Sequence, residues 1–427
     1  MVELPVIVSA VSLVFFLAIS LPIGVAMGLS VALALFVGDL PPELMMQKMY
    51  MALDSFPLLA VPLFILSGEI MQKGTMANAL LRFSRCLVGH VHGGMAHISV
   101  LTSLFYGALC GSAPATVAAV GGIMIPAMEK DKYPLRYATA VNTTAGCLGV
   151  LIPPSVPLII YGTQANISIS DLFIAGITPG LIIGGLLIGM CYIVCKRKGY
   201  GNTQDRTSAK ERLRSLGKAG HALVVPIVVL GGIYGGITTP TEAGAIAAIY
   251  ALVVEVFITR SINAKGILEV LWSTFISTST IFFIVAPATA LGQLLLIYNT
   301  PDIVSNMLSG IIGNKYLLLT AIIIILLITG TFLDTISNIV LLTPLFMPAL
   351  LQAGVDPVHF GIIMITALAI GFLTPPVGVN LFVGCGISKL SIEELSASIL
   401  PFVALLIVAL FIIAFVPVLS MGLVPVR

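Results

Sequence analysis

The sequence has very few charged residues. Its 427 residues include 20 Lys and Arg and 18 Asp and Glu, so that 9% of the chain is charged, against about 25% in an ordinary soluble domain. Six long segments contain no Asp, Glu, Lys or Arg: 4–38, 137–170, 172–195, 270–301, 357–388 and 395–426. A bilayer-spanning helix needs about 20 apolar residues. This composition excludes a soluble globular enzyme and indicates an all-α, multi-span membrane protein.

The chain also lacks the motifs of several functional classes. It has no P-loop, so transport driven by its own nucleotide hydrolysis is excluded and the energy must come from an ion gradient or a partner. The six cysteines are scattered without a C-x-x-C pair, which favours buried apolar thiols over a metal or redox site. A net charge of +2 gives no reason to bind nucleic acid. No basic segment precedes the apolar N-terminus, which indicates a first span rather than a signal peptide.

The basic residues predict the topology. Apart from Lys48, Lys315 and Arg427, they cluster around 73–85, 130–136, 196–218, 260–265 and 389. If these segments are cytoplasmic, the positive-inside rule is satisfied, and both termini are predicted to be periplasmic. The segments 75–90 and 262–273 are predicted to be amphipathic arms in the membrane interface.

The apolar segments predict the membrane crossings. We expect crossings near 5–21, 22–38, 57–72, 133–163, 171–195, 220–237, 239–258, 274–297, 357–385 and 395–420. Two further apolar segments do not fit as crossings. The segment 94–128 begins and ends beside basic loops, and 316–350 begins and ends beside loops nearly free of Lys and Arg. Each contains a helix-breaking stretch, at 111–114 and 330–334 respectively. We therefore predict two re-entrant helical hairpins, the first open to the cytoplasm and the second open to the outside.

The chain contains an internal repeat. A shift of 222 residues superposes Pro126 on Pro348, Gly149 on Gly371, and the pair Pro153-Pro154 on Pro375-Pro376. We predict a first repeat at 1–195 with a broken helix at 133–163, and a second at 219–427 with a broken helix at 357–385. A basic cytoplasmic linker, 196–218, is expected between them. Five crossings per repeat would give the two copies inverted topologies.

Inverted repeats with broken helices are typical of secondary transporters. An unpaired backbone group in lipid is costly, so such breaks are tolerated only where they are buried in protein or line a polar cavity. A channel with the hairpins as its filter is one alternative, and a membrane enzyme is another. Four breaks in two halves fit alternating access better than a pore, and the spans offer almost no clustered His, Asp or Cys for catalysis.

Four segments resemble one known family: GALCGSAPATVAAVG (107–121), TAGCLGVLIPPS (144–155), FLTPPVGVN (372–380) and TPTEAG (239–244). They are similar to the large membrane subunit of TRAP transporters, the tripartite ATP-independent periplasmic transporters of bacteria and archaea. The resemblance implies an elevator-type scaffold plus transport domain, as in divalent-anion/sodium symporters. It also implies import of an organic acid anion, such as a C4-dicarboxylate, sialic acid or another sugar acid, driven by Na⁺.

The resemblance further implies a setting in the bacterial or archaeal inner membrane and two protein partners. These are a periplasmic substrate-binding protein and a small four-helix membrane subunit, expected as a separate chain. A stand-alone sodium/anion symporter that needs no binding protein is the alternative.

By the same resemblance, the hairpin tips and the helix breaks hold sodium and substrate. The residues expected to bind Na⁺ are Ser112, Thr116, Gly149, Val150, Pro153, Asp334, Thr335, Asn338, Gly371 and Thr374. Those expected to bind substrate are Ser112, Thr116, Ser155, Ser337, Asn338 and Asn380. Asp334 has two interpretations, because an intramembrane carboxylate is usually functional but Asp is also a good helix N-cap.

Overall fold

The computed structural model describes residues 3–201 and 208–425, and the regular structure in these residues is entirely helical. The first part contains the helices α1 Leu4–Ala18, α2 Ile23–Gly38, α3 Pro42–Leu53, α4 Ala60–Lys73, α5 Met76–Val88, α6 Gly94–Cys110, α7 Ala113–Thr116, α8 Gly122–Lys130, α9 Leu135–Ala145, α10 Leu148–Leu151, α11 Val156–Ala165 and α12 Ile169–Lys198. A 3₁₀ turn, Phe56–Leu59, precedes α4, and a π-helical turn, Val117–Gly121, joins α7 to α8.

The second part begins after the segment between the described ranges. It contains the helices α13 Ala209–Tyr234, α14 Pro240–Val253, α15 Ala264–Ile297, α16 Thr300–Ile312, α17 Lys315–Phe332, α18 Thr335–Gln352, α19 Pro357–Gly371, α20 Val379–Ser388, α21 Ile392–Phe415 and α22 Val418–Met421. A π-helical turn, Val254–Ile258, follows α14. Among the described residues, eight helices are long and apolar enough to cross a membrane. The predicted multi-span helical protein is confirmed.

Both predicted hairpins have the expected helix–break–helix pattern. The first runs from α6 through a break at Gly111-Ser112 to α8, and the second runs from α17 through Leu333-Asp334 to α18. Both predicted broken helices are also present. The first bends by 41° between Leu135–Leu151 and Val156–Ala165, and the second is interrupted between α19 and α20. Whether each hairpin enters and leaves on one side of the membrane, and whether the halves are inverted, stay predictions.

Three boundaries differ from the sequence prediction. The segment 262–273 was expected to be an interfacial arm, but the 34-residue helix α15 begins at Ala264 and continues through it. Asn263 caps that helix by accepting a hydrogen bond from Gly266 N at 2.9 Å. The expected crossing 274–297 is therefore only the later part of one continuous helix. The linker 196–218 is shorter than expected, because α12 extends to Lys198 and α13 begins at Ala209. Its positions 202–207, including Arg206, lie outside the described residues, as does Arg427.

The two halves pack into each other. Helix α11 of the first half lies against α18, the second arm of the second hairpin. The matching element of the second half, α20, lies against 113–130, the second arm of the first hairpin. Near the centre, Cys147 Sγ donates to the carbonyl oxygen of Ala369 at 3.0 Å, and these two positions are 222 residues apart. The corresponding parts of the repeat therefore meet in one core.

A buried carboxylate connects α5 to the end of α14. The side chain of Glu255, in the π-helical turn, is fully buried and accepts five hydrogen bonds. Its donors are Thr75 N at 2.8 Å, Met76 N at 2.9 Å, Thr75 Oγ1 at 3.1 Å, and the hydroxyls of Thr259 and Ser261, each at 2.6 Å. The carboxylate thus satisfies free N–H groups at the start of α5 and fixes the turn that leads to α15.

Replacing Glu255 with alanine is expected to destabilise the protein by about 2 kcal/mol, because five donors would lose a charged acceptor and the buried Met76 N–H would be left without a partner. Unfolding of the purified protein by SDS titration in detergent micelles measures this change. Glu129→Gln, at an exposed position, is the control and should lie within about 0.5 kcal/mol of the wild type. An equally small effect at Glu255 would contradict this account.

Candidate functional site

The tip of the first hairpin packs against the first Pro-Pro break. Gly111 has φ +61°, a left-handed conformation that favours glycine, and a Cβ there would lie 2.8 Å from the carbonyl oxygen of Pro154. Gly149 is equally constrained, because a Cβ would lie 2.5 Å from the carbonyl oxygen of Ser112. Val156 N donates to Gly111 O at 3.4 Å and joins the two segments. The close approach that the sequence predicts for this tip and break is therefore present.

The hydroxyl groups at the first tip bond to nearby atoms. Thr116 Oγ1 donates to the carbonyl oxygen of Ser112 at 2.8 Å, and Ser155 Oγ donates to that of Val150 at 2.6 Å. Ser112 Oγ accepts from Ala115 N at 3.5 Å and caps the helical segment 113–130. These hydroxyls shape the tip and the break.

The tip of the second hairpin is organised by Asp334. Its carboxylate accepts from Ile336 N at 2.9 Å and from Ser337 N at 3.2 Å, and the Ser337 hydroxyl also donates to it. Asn338 Nδ2 donates to the carbonyl oxygens of Leu333 and Asp334, each at 3.1 Å. Asp334 is thus the N-cap of α18, which was one of its two interpretations. Its expected contact with Na⁺ stays a prediction.

The second tip also packs against the second Pro-Pro break. A Cβ on Gly371 would lie 2.6 Å from the carbonyl carbon and oxygen of Gly330. Val377 N donates to Thr331 O at 3.1 Å. Thr374 Oγ1 bonds within its own segment, to Ile370 O at 3.2 Å. Both Pro-Pro bonds, Pro153-Pro154 and Pro375-Pro376, are cis.

One cavity of about 440 Å³ brings the two tips together. Helices α4 and α15 close it on the other side. Four of the sequence-predicted site residues line it: Ser112, Val150, Asp334 and Thr335. The remaining ones do not: Thr116, Gly149, Pro153, Ser155, Ser337, Asn338, Gly371, Thr374 and Asn380. Those nine residues form the wall behind the cavity or the packing between tips and breaks.

The cavity is surrounded by helix N-termini and contains no basic side chain. Its lining includes the first residues of the helical segment 113–130 and of α11, α18 and α20. The helix dipole places about half a positive charge at each N-terminus, so together they favour an anion. At two of the four, N–H groups already donate to a cap, to Ser112 Oγ at the start of the segment 113–130 and to the Asp334 carboxylate at the start of α18. Among the described lining residues there is no Lys, Arg or His, but two carboxylates are present, Glu69 and Asp334.

Glu69 is a lining residue that the sequence analysis did not assign to the site. In the sequence, Glu69 lies near the end of the predicted crossing 57–72, where a carboxylate can reach the interface or a neighbouring helix. In the structure Glu69 lies on α4 beside Gly68. A Cβ added at Gly68 would lie 3.0 Å from Cys110 Cα. The close packing of α4 against the first tip brings Glu69 to the cavity. An acid within an otherwise apolar segment was the available signal.

Several buried oxygen atoms near the second tip have no hydrogen-bond partner among the described residues. They are Asn338 Oδ1, Asn380 Oδ1 and Thr335 Oγ1. Buried polar atoms are nearly always paired, so each unpaired oxygen needs an explanation. Amide and hydroxyl oxygens are ligands of the kind that hard cations prefer.

Comparison with known proteins identifies the family. The family model described as "Tripartite ATP-independent periplasmic transporter, DctM component" matches residues 10–419. The chain belongs to the DctM family. The family is one of transporter permeases, not enzymes, and the resemblance stated from the sequence is confirmed.

The similar relatives within the DctM family differ in their named substrates. The isethionate TRAP transporter permease DctMQ of Oleidesulfovibrio alaskensis is 41% identical over 95% of this chain, and the match covers 64% of that relative's length. The C4-dicarboxylate large permease DctM of Pseudomonas aeruginosa is 37% identical over 88% of each chain. The sialic acid large permease SiaM of Vibrio cholerae is 35% identical over 87% of each chain.

A solved structure shares the fold. The YdaH transporter of Alcanivorax borkumensis is similar with a TM-score of 0.67 over 89% of each chain, at 14% sequence identity. This likeness supports the helical architecture described above.

Proposed function

We propose that this chain is the large membrane subunit of a sodium-driven importer of an organic acid anion. The observation that carries the proposal is the cavity between the tips, where four helix N-termini converge and no basic side chain is present among the described lining residues. Backbone N–H groups at helix N-termini bind carboxylate or sulfonate groups without a fixed cation. The relatives that transport isethionate, C4-dicarboxylates and sialic acid all carry such anions.

The carboxylates of the cavity support coupling to a cation. Glu69 and Asp334 line the same space as the proposed anion site, and like charges in a low-dielectric region repel strongly. Bound Na⁺ would offset this repulsion. The unpaired oxygens of Asn338, Asn380 and Thr335, together with carbonyl groups freed by the helix breaks, are ligands of the appropriate kind.

The family membership supports a three-part complex in the bacterial inner membrane. We propose that a periplasmic binding protein delivers the substrate and that a small membrane subunit completes the permease. The runner-up function, a stand-alone symporter, differs in needing no binding protein. As part of the same proposal, the basic segments lie on the cytoplasmic side of the membrane and both termini lie on the periplasmic side.

Uptake into proteoliposomes tests the proposed function. With the membrane subunits reconstituted and the binding protein added outside, uptake of labelled substrate should require an inward Na⁺ gradient and rise with a Hill slope above one. K⁺ should not replace Na⁺, because a binding site whose size matches Na⁺ is too small for K⁺. Omitting the binding protein should abolish uptake.

Three results would contradict parts of this proposal. Equal uptake driven by a proton gradient in Na⁺-free buffer would remove sodium coupling. Undiminished uptake without the binding protein would favour the stand-alone symporter. Absence of counterflow, the exchange of external label for internal unlabelled substrate, would favour a channel.

A further inference from the structure

A second cavity, which shares no lining residue with the one between the hairpin tips, lies between α5 and the first turns of α13. Its volume is about 1450 Å³. Five side chains that line it are basic or can become so: Arg82, Arg85, Arg214, Lys218 and His221. Glu211 is the one acidic residue among its described lining residues. We call this feature the basic cavity.

The positive charge comes from two helices that face each other. Arg82 and Arg85 are three residues apart on α5, and Arg214 and Lys218 are four apart on α13, so each pair lies on one side of its helix. Helices α5 and α13 pack along each other. The two pairs therefore project into one space, which concentrates positive charge there.

Among the described residues, no acidic side chain forms an ion pair with Arg82, Arg214 or Lys218. In the described ranges, the ion pairs join Lys73 to Glu269 and Arg136 to Glu394, both outside the basic cavity. Arg82, Arg214 and Lys218 are all exposed. Two arginines that approach from opposite helices suit a phosphate group, because each guanidinium can donate two parallel hydrogen bonds.

An exposed apolar stripe runs beside the basic side of α13. Leu213 is 71% exposed, Leu216 41% and Ile227 68%, and their spacing places them on one face of the helix. The apolar part of α13 begins directly after Lys218. A phosphate in the basic cavity would thus lie at the end of a lipid-facing surface along which acyl chains can pack.

We propose that the basic cavity binds the phosphate of an anionic phospholipid headgroup, and that the lipid bridges α5 and α13. The ligand chemistry is a phosphate mono- or diester anion, and the apolar stripe assigns its source to the membrane rather than to free phosphate. This side of the protein is the one that the distribution of Lys and Arg predicts to be cytoplasmic, where anionic lipids accumulate near basic segments. The proposal is independent of the transported substrate.

The bridge would act on the first hairpin. Helix α5 leads through the short turn at Gly89–Gly93 into α6, while Glu255 fixes the opposite end of α5. Lipid binding at Arg82 and Arg85 would hold the free part of α5 against α13. It would therefore raise the thermal stability of the membrane-embedded protein.

The test measures the melting temperature of the purified full chain, with any membrane subunit that co-purifies, against added lipid. Dioleoyl phosphatidylglycerol should raise the melting temperature in a saturable way, and dioleoyl phosphatidylcholine should raise it far less. In the double variant Arg82→Gln/Arg214→Gln, the apparent affinity for phosphatidylglycerol should fall about thirtyfold. The matched control Lys130→Gln/Arg197→Gln removes the same charge from exposed positions outside the basic cavity, and should respond like the wild type.

Two further arms make the result decisive. Inorganic phosphate at the same concentration should have little effect, and an effect equal to that of phosphatidylglycerol would assign the site to a soluble anion and overturn the lipid proposal. Equal loss in the control variant would show a general effect of charge and would also overturn it. If the cavity variant does not fold, the wild type alone suffices, because rising NaCl should abolish the preference for phosphatidylglycerol over phosphatidylcholine. A preference that is independent of salt would refute the proposal.

Discussion

Replacing Gly371 with alanine is expected to reduce transport by at least about tenfold and to destabilise the protein by about 2 kcal/mol. The added Cβ would meet the backbone of Gly330 at 2.6 Å, and neither backbone can move without separating the second hairpin tip from the second break. Gly149→Ala should have a similar effect, since its Cβ would meet the carbonyl oxygen of Ser112 at 2.5 Å. Uptake in proteoliposomes and thermal melting measure the two effects.

Gly185→Ala is the matched control for both substitutions. Gly185 also lies in a helix, but a Cβ there has no atom within 4 Å. Alanine is a better helix former than glycine, so this variant should transport normally and be equally or slightly more stable. Normal transport by Gly371→Ala would show that the close contact between tip and break is not needed for function.

The second large effect is expected at Asp334, where two substitutions separate charge from capping. Asp334→Asn keeps an oxygen that can accept from Ile336 N and Ser337 N, so folding should change little. Removal of the negative charge should nevertheless lower the apparent affinity for Na⁺ by about tenfold, equivalent to about 1.4 kcal/mol. Asp334→Ala loses the cap as well and should destabilise the protein by about a further 1 kcal/mol.

The sodium dependence of uptake decides the role of Asp334. Asp171→Asn provides a comparison, because Asp171 lies in the first turn of α12, outside the cavity between the tips. An unchanged sodium dependence in Asp334→Asn, combined with a stability loss in Asp334→Ala, would assign Asp334 to capping alone.

The elements that the sequence predicts well are those marked by local chemistry. Gly111, Asp334 and the two Pro-Pro pairs lie at the breaks themselves and carry local signals that end a helix, so the breaks could be located from the sequence. The predicted start of the crossing at 274 differs from the start of α15 at Ala264, because nothing within 262–273 shows that this segment continues into one helix of 34 residues. Amphipathic pattern describes one face of a helix, but the neighbours that cover that face come from elsewhere in the chain.

The candidate site was predictable only in part for a related reason. Each tip lies against the break that the family resemblance assigns to it. The positions of Glu69 and Glu255 depend on tertiary contacts: Glu255 binds Thr75 and Met76, which are about 180 residues away. Asn380 does not line the cavity, and its Nδ2 lies 3.8 Å from Cys147 Sγ in the wall between the halves. Its expected contact with substrate stays a prediction. Side-chain direction in a packed interior is set by such distant neighbours.

The reciprocal packing of α11 on α18, and of α20 on 113–130, has a consequence for the origin of the fold. Each half covers part of the second arm of the other half's hairpin, whereas the first arms, α6 and α17, pack mainly within their own half. A chain of half this length would therefore leave one arm of its hairpin partly uncovered, unless a second copy supplied the matching helix.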